Sequence, residues 1–333
     1  MSVEKIIDDW KKRSFKPIYW LEGEESYYID QVMDYAEHHL LTEAEAGFNL
    51  SIFYGRDAAW AEVANACKRF PMFAERQVVL LKEAQFMKDI LKLESYFEKP
   101  QPSTVLVVSY KDKKLDARTK LSKTLKKIGE VLSTKKIYDN QLPQWVTQRV
   151  QQRGFSITPK AVLMIAEHIG NDLGRIDNEI TKLIVNLSEK GQITEDDIET
   201  YIGISKEFNV FELQRAVAAK DLPRVLLMIQ YFDKNPKAAP IQVILPTLYN
   251  FFSKASMVFG AGSNEAAIAS ALGVHPFFAK DYMAAARLYG PSPIDKILLL
   301  LHHYNLKSVG IDNGGATDTD LLKEMMVKIM AQA

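Results

Sequence analysis

Cysteine is almost missing from this chain: Cys67 is the only one in 333 residues. An internal disulfide framework and a Cys-rich zinc module are thereby excluded, and a reducing compartment is expected. Long apolar runs are missing too. The longest strictly apolar stretch, Ala161 to Ala166, is far too short to span a bilayer, so no membrane partner is expected. Excess charge of either sign is absent, with 42 basic against 42 acidic residues, so no global field draws the molecule to nucleic acid or anionic lipid. Met1 to Lys16 is charged and carries no apolar signal core, which points to a cytoplasmic protein.

The chemical motifs are as sparse. No G-x-S-x-G, S-x-x-K or glycine-rich dinucleotide fingerprint occurs, which removes support for hydrolase and oxidoreductase readings. His38-His39 and His302-His303 are adjacent pairs, and neighbours on a helix diverge by about 100° and do not face one metal together. Asp8-Asp9 and Asp196-Asp197 read as charges at helix starts. The expectation is no catalytic residue, no bound cofactor and no metal.

What is present is a change of pattern along the chain, and 333 residues favour two or three domains. Pro17 to Leu21 and Leu50 to Tyr54 read as strands. Val78 to Leu81 and Val105 to Val108 are unbroken apolar runs rich in β-branched residues, which suit central strands of a parallel sheet covered on both faces. Helical patterns lie between them: one carries Tyr28, Ile29, Val32, Met33 and Ala36, and another carries Met87, Ile90, Leu91, Leu93, Tyr96 and Phe97. Asp57 is the expected N-cap of a helix whose Trp60, Val63, Ala64 and Cys67 share one face. A helix near Ala117 to Lys127 and a short strand near Ile137 complete a three-layer α/β domain over 1–140.

Beyond Asn140 strand signals vanish. Leu142 to Arg153 stops at Gly154, Thr158-Pro159 starts a helix that ends at Gly170, and Asn171 is expected to cap the next. Thr194 with Asp197 is a variant capping box. This helical unit, 141–206, is followed by a wholly helical segment, 207–333.

In an α/β nucleotide binder the turn after the first strand holds the phosphates, with backbone N–H groups and a lysine. Here that turn is Glu22-Gly23-Glu24-Glu25-Ser26, with one glycine, no lysine and three carboxylates. Those carboxylates occupy the positive end of the helix themselves and repel a triphosphate. Tight ATP binding is not expected.

Two stretches stand out against this background. Phe70-Pro71-Met72-Phe73 follows the helix that begins near Asp57, and Pro71 forces the helix to stop, leaving three large apolar side chains on a turn. They form either a plug for another protein's pocket or a cap on the domain's own core. The second stretch, Lys111 to Lys136, is strongly basic and includes Lys113, Lys114, Arg118, Lys120 and Lys123. It could meet DNA or an acidic partner, but no aromatic residue interrupts it before Tyr138, and a solvated helix face is the preferred reading.

Several segments, in order, resemble the δ subunit family of the bacterial DNA polymerase III clamp loader. They are Tyr19 to Glu25, Phe70 to Val79, Lys114 to Lys120, Gly170 to Leu173, Asn178 to Leu183, Phe211 to Leu213 and His275 to Phe277. The resemblance implies an AAA+-like, P-loop-NTPase-like first domain (1–140) without a working ATP site, a small helical lid (141–206) and an all-α collar (207–333). It further implies a hetero-pentamer with an ATPase subunit and delta prime, acting on primed DNA within DNA polymerase III holoenzyme and binding the sliding clamp. Family members insert hydrophobic residues into the clamp and favour an opened ring. Carried over, that motif falls on Phe70, Met72 and Phe73, with Met72 where the family most often has leucine. The alternatives are the loader's catalytic AAA+ ATPase and a helical adaptor unrelated to replication.

Overall fold

The computed structural model describes residues 2–187, 191–236, 238–262, 264–274 and 276–332, and resolves into two compact units, 1–137 and 138–333. His275, one of the residues carrying the family resemblance, lies outside the described residues, as do the side chains of Pro276 and Phe277.

In the first unit the order is α1 (Val3–Lys11), β1 (Ile18–Gly23), α2 (Ser26–His39), α3 (Glu43–Asn49), β2 (Leu50–Tyr54), α4 (Trp60–Cys67), β3 (Gln77–Lys82), α5 (Glu94–Phe97), β4 (Thr104–Lys111), α6 (Lys120–Ile128) and β5 (Glu130–Thr134). The strands form one parallel sheet in the order β2-β3-β4-β1-β5. Because successive strand residues point to opposite faces, each apolar run serves two cores at once. Tyr19, Leu21, Val78, Leu80, Val105 and Val107 pack with Ile6 and Trp10 of α1 and Ile29, Val32 and Met33 of α2. Ile18, Trp20, Val79, Leu81, Leu106 and Val108 pack on the other side with Val63 and Cys67 of α4, Tyr96 and Phe97 of α5, and Leu121 and Leu125 of α6. That is the three-layer arrangement expected from the runs themselves.

Three local expectations are corrected, and two helices are present that none anticipated. The helix that includes Cys67 begins at Trp60 after Ala59, whose N–H donates to Glu62 Oε2 at 2.9 Å, and Asp57 sits in the preceding turn. The pattern from Met87 to Phe97 is not one helix but a 3₁₀ turn (Ile90–Leu93) followed by the single turn of α5, with another 3₁₀ turn (Ala84–Phe86) just before it. Apolar spacing carries no sign of the left-handed backbone at Asp89 (φ 58°), which interrupts any continuous helix there. The last strand is Glu130–Thr134 rather than a segment near Ile137. α1 and α3, which the apolar pattern did not single out, are short helices opened by Ser2 and by a Thr42–Glu45 capping box.

The second unit holds α7 (Leu142–Gln152), β6 (Ser156–Ile157), α8 (Pro159–Ile169), α9 (Leu173–Asn186), β7 (Gln192–Ile193), α10 (Glu195–Asp197), α11 (Val210–Ala218), α12 (Leu222–Lys234), α13 (Ile241–Met257), α14 (Glu265–Leu272), α15 (Pro276–Tyr289), α16 (Pro291–Ser308) and α17 (Asp318–Met330). Thr158 caps α8 through Ala161 N–H as expected, and the Thr194–Asp197 box forms. The cap of α9, however, is Asp172, which accepts from Arg175 N–H, not Asn171. β6 and β7 are a short parallel pair where no strand was expected; two residues are too few to show a period. From α11 to α17 one continuous core runs through Leu213, Val217, Met228, Ile244, Phe252, Ile297, Tyr304 and Met325.

Candidate functional site

The connection between α4 and β3 is held at both ends by buried amide side chains. Gln77, the first residue of β3, directs Nε2 at Arg69 O (2.6 Å) and Thr104 Oγ1 (2.7 Å), and Thr104 Oγ1 donates to Cys67 O at 2.8 Å. These bonds occupy carbonyls that the end of a helix leaves without partners. Further along, Met72 is gripped by Asn49, the last residue of α3. Met72 N–H donates to Asn49 Oδ1 at 2.7 Å, and Asn49 Nδ2 donates to Met72 O at 2.9 Å. Beyond it, the Arg76 guanidinium lies 4.0 Å from the centre of the Phe15 ring, and Arg13 pairs with Glu75 at 3.8 Å.

On this fixed backbone the apolar side chains point outward. Phe70 is 77% exposed, Met72 53% and Phe73 95%, and none joins either core of the first unit. The core-cap alternative therefore fails for all three, Phe70 included. Phe73 also has φ 55°. A bulky residue in that region costs on the order of 1–3 kcal/mol, a cost that persists only where neighbouring contacts determine the backbone. Large apolar side chains grouped on a strained, pinned turn form a surface suited to entering an apolar pocket. Pro71 and the sequence grouping made this turn visible. Asn49 and Gln77 were missed, since each acts on a segment remote from its own helix or strand position.

The turn after β1 has its donors committed. Gly23 N–H donates to Lys113 O at 3.1 Å, Glu24 N–H to Thr134 O at 3.4 Å, Glu25 N–H to Thr134 Oγ1 at 3.2 Å, and Tyr27 N–H to Glu25 Oε1 at 3.2 Å. Glu22 is buried, accepting from Leu115 N–H (2.9 Å) through one oxygen and from Ser133 Oγ (3.0 Å) through the other. Four N–H groups of the region where a phosphate would be cradled are thus spent on Lys113, on Thr134 of β5 and on the Glu25 carboxylate. Among the described residues no group of three or more His, Cys, Asp and Glu is placed to hold a metal ion.

The five basic residues do not act alike. Arg118 forks onto Asp116, with Nη2 to Oδ2 at 2.7 Å, and this contact holds the Asp116 carboxyl below its ordinary range. Lys120 bridges Glu94 (2.7 Å) and Glu98 (2.6 Å), which raise its pKa. Lys113, Lys114 and Lys123 are exposed and form no ion pair among the described residues, so they carry the outward positive charge. Lys113 Nζ reaches only Gln85 O, at 3.4 Å.

In the second unit Glu167 of α8 lines a cleft of about 690 Å³ with Arg215, Phe211 and Asp281. Burial pushes its pKa up to about 7 against the pull of Arg215, with Glu212 and Asp281 adding to the rise. Between about 4.5 and about 7 the folded chain holds a proton that the unfolded chain releases, so stability falls as pH rises through that window. Glu167→Gln is expected to flatten this slope and to stabilise the chain above pH 7 by on the order of 2 kcal/mol, read from denaturation midpoints across pH.

The chain matches the family model described as DNA polymerase III, delta subunit, over residues 19–135. It is 26% identical over 338 residues to DNA polymerase III subunit delta of Bacillus subtilis (strain 168), covering 97% of this chain and 96% of that relative. A probable DNA polymerase III subunit delta of Aquifex aeolicus (strain VF5) is 23% identical over 245 residues, or 68% of each chain. The solved structure of the Bacillus subtilis DNA clamp loader delta protein superposes with a TM-score of 0.61 at 26% identity, covering 99% of both chains. The parallel sheet followed by many helices is thus the AAA+-like architecture of a clamp-loader delta protein. Sequence likeness along nearly the whole length and a shared three-dimensional arrangement agree, and both make the chain similar to the DNA polymerase III delta subunits.

Proposed function

We propose that this delta subunit binds the sliding clamp by inserting Met72 and Phe73, flanked by Phe70, into an apolar pocket on the ring. The observation that carries the reading is the outward display of these three side chains on a turn whose backbone is pinned at Met72. A plug that binds the open ring better than the closed one shifts the ring toward opening by that difference in affinity and no more. Within the holoenzyme, the ATPase subunit and delta prime complete a hetero-pentamer that acts on primed DNA. In that assembly 141–206 serves as the lid and 207–333 as the collar. The test is direct: purified full-length chain and the cognate sliding clamp, mixed without other loader subunits, are expected to form a complex on size-exclusion chromatography. Failure to bind overturns the reading.

The subunit works without intrinsic catalysis or a nucleotide cofactor, as a cytoplasmic partner of the motor subunit. Support comes from the turn after β1, where Gly23, Glu24, Glu25 and Tyr27 N–H groups are already occupied. Calorimetry with Mg-ATP is expected to give no binding at micromolar concentration; a constant in that range or tighter refutes this part. Of the five basic residues singled out, Lys113, Lys114 and Lys123 are the ones left to face DNA or an acidic partner. Arg118 and Lys120, held by Asp116, Glu94 and Glu98, serve the first unit's own surface.

A further inference from the structure

We infer that Asn49 is the positioning residue of the clamp-binding turn: its carboxamide holds Met72 in place and so presents Phe73 ready for the pocket. The inference rests on the plug reading above and assigns the residue that prepares it. Asn49 is 4% exposed, and every polar atom of its side chain is used. Oδ1 accepts from Met72 N–H, while Nδ2 donates to Met72 O and to Glu45 O at 3.0 Å. The opposite amide orientation would set Oδ1 against two carbonyl oxygens, so the network itself selects this one. The pair of bonds to Met72 reproduces what a neighbouring strand would offer, at a turn where no strand lies alongside.

The grip is referenced to a rigid element. α3 has only seven residues, but its start is closed by a reciprocal box in which Thr42 N–H donates to Glu45 Oε2 (2.9 Å) and Glu45 N–H to Thr42 Oγ1 (3.3 Å). Its end passes directly into β2 of the sheet. Between Phe70 and Arg76 the backbone hydrogen bonds found among the described residues are the two made by Met72 to Asn49. The next residue, Phe73, has the left-handed backbone. Without Asn49 no other hydrogen bond among the described residues holds the Met72 backbone while Phe73 remains in an unfavourable region, so the turn relaxes to conformers that bind poorly. The affinity then falls by the fraction of molecules that keep the competent conformation.

The test uses the full-length chain and the sliding clamp. Asn49→Ala is expected to weaken clamp binding by about ten- to thirtyfold, as loss of two hydrogen bonds to one residue would. Amide exchange over 70–76 should accelerate in the same variant without any clamp present. Asn49→Ser, which spans only one of the two bonds, should fall between and stands in if the alanine variant does not fold. Thr42→Ala removes the box of the same helix without touching Met72, and is expected to weaken clamp binding far less than Asn49→Ala does. If Asn49→Ala binds normally while Met72→Ala/Phe73→Ala does not, Asn49 has no positioning role and the plug reading stands. Equal losses from Asn49→Ala and Thr42→Ala also overturn the inference, because general loosening of α3 then accounts for both. Normal binding by Met72→Ala/Phe73→Ala removes the plug reading and this inference with it.

Discussion

Met72→Ala/Phe73→Ala is expected to abolish clamp binding while leaving the fold unchanged. Truncation of a buried interface anchor costs about 2 kcal/mol or more, and two anchors together correspond to roughly a thousandfold loss. The free chain has little to lose by comparison. Both side chains are exposed and belong to neither core of the first unit, so thermal stability should shift by no more than about 0.5 kcal/mol. Relief at Phe73 adds a small gain, because its left-handed backbone burdens a bulky side chain more than alanine. Surface plasmon resonance against immobilised clamp and a thermal melt of the free variant check the two halves. A variant that unfolds, or that binds as wild type does, refutes the assignment. Methionine at position 72 is expected to serve in place of leucine, since its flexible thioether chain adapts to an apolar pocket of slightly different shape.

The second large effect concerns stability. Gly23→Ala should destabilise the first unit by about 3 kcal/mol or more, lowering its melting midpoint by roughly 10 °C. Gly23 closes β1 at φ 122°, a backbone conformation that L side chains rarely adopt. A Cβ there would collide with the backbone of β5, with Thr134 N at 2.7 Å and Thr134 O closer still. Both partners are main chain in a paired register, Gly23 opposite Thr134, so neither can give way cheaply. The glycine thus has a structural duty: it lets the sheet edge and the first turn of α2 meet. A melt of Gly23→Ala within about 1 kcal/mol of wild type would show that β5 yields more readily than a paired strand should.

Much of the first unit was legible because its signals are local. Val78 to Leu81 and Val105 to Val108 alternate between two covered faces, and Leu50 to Tyr54 was found with its observed bounds. Caps with a distinctive residue pair, such as Thr158-Pro159 and Thr194 with Asp197, were also readable. Misreadings clustered where apolar spacing is uninformative about backbone sign. Met87 to Phe97 has helical spacing, yet left-handed Asp89 breaks it and short turns follow. Asn171 and Asp172 are both good cap residues in adjacent positions, and only the bond from Arg175 N–H distinguishes them.

By itself the sequence determined that an α/β unit precedes a helical one, that the turn after β1 lacks the glycines and lysine of a phosphate loop, and that Pro71 lies among three large apolar residues past the end of a helix. These are properties of neighbouring residues. Whether Phe70, Met72 and Phe73 faced the core or the solvent was decided only in the tertiary structure, because burial depends on which segments pack over a turn. The same holds for the amide of Asn49 closing on Met72, 23 positions away, and for Glu94 and Glu98 neutralising Lys120. A hydrogen bond or ion pair between distant positions requires the fold to bring them together, and no local spacing encodes that meeting.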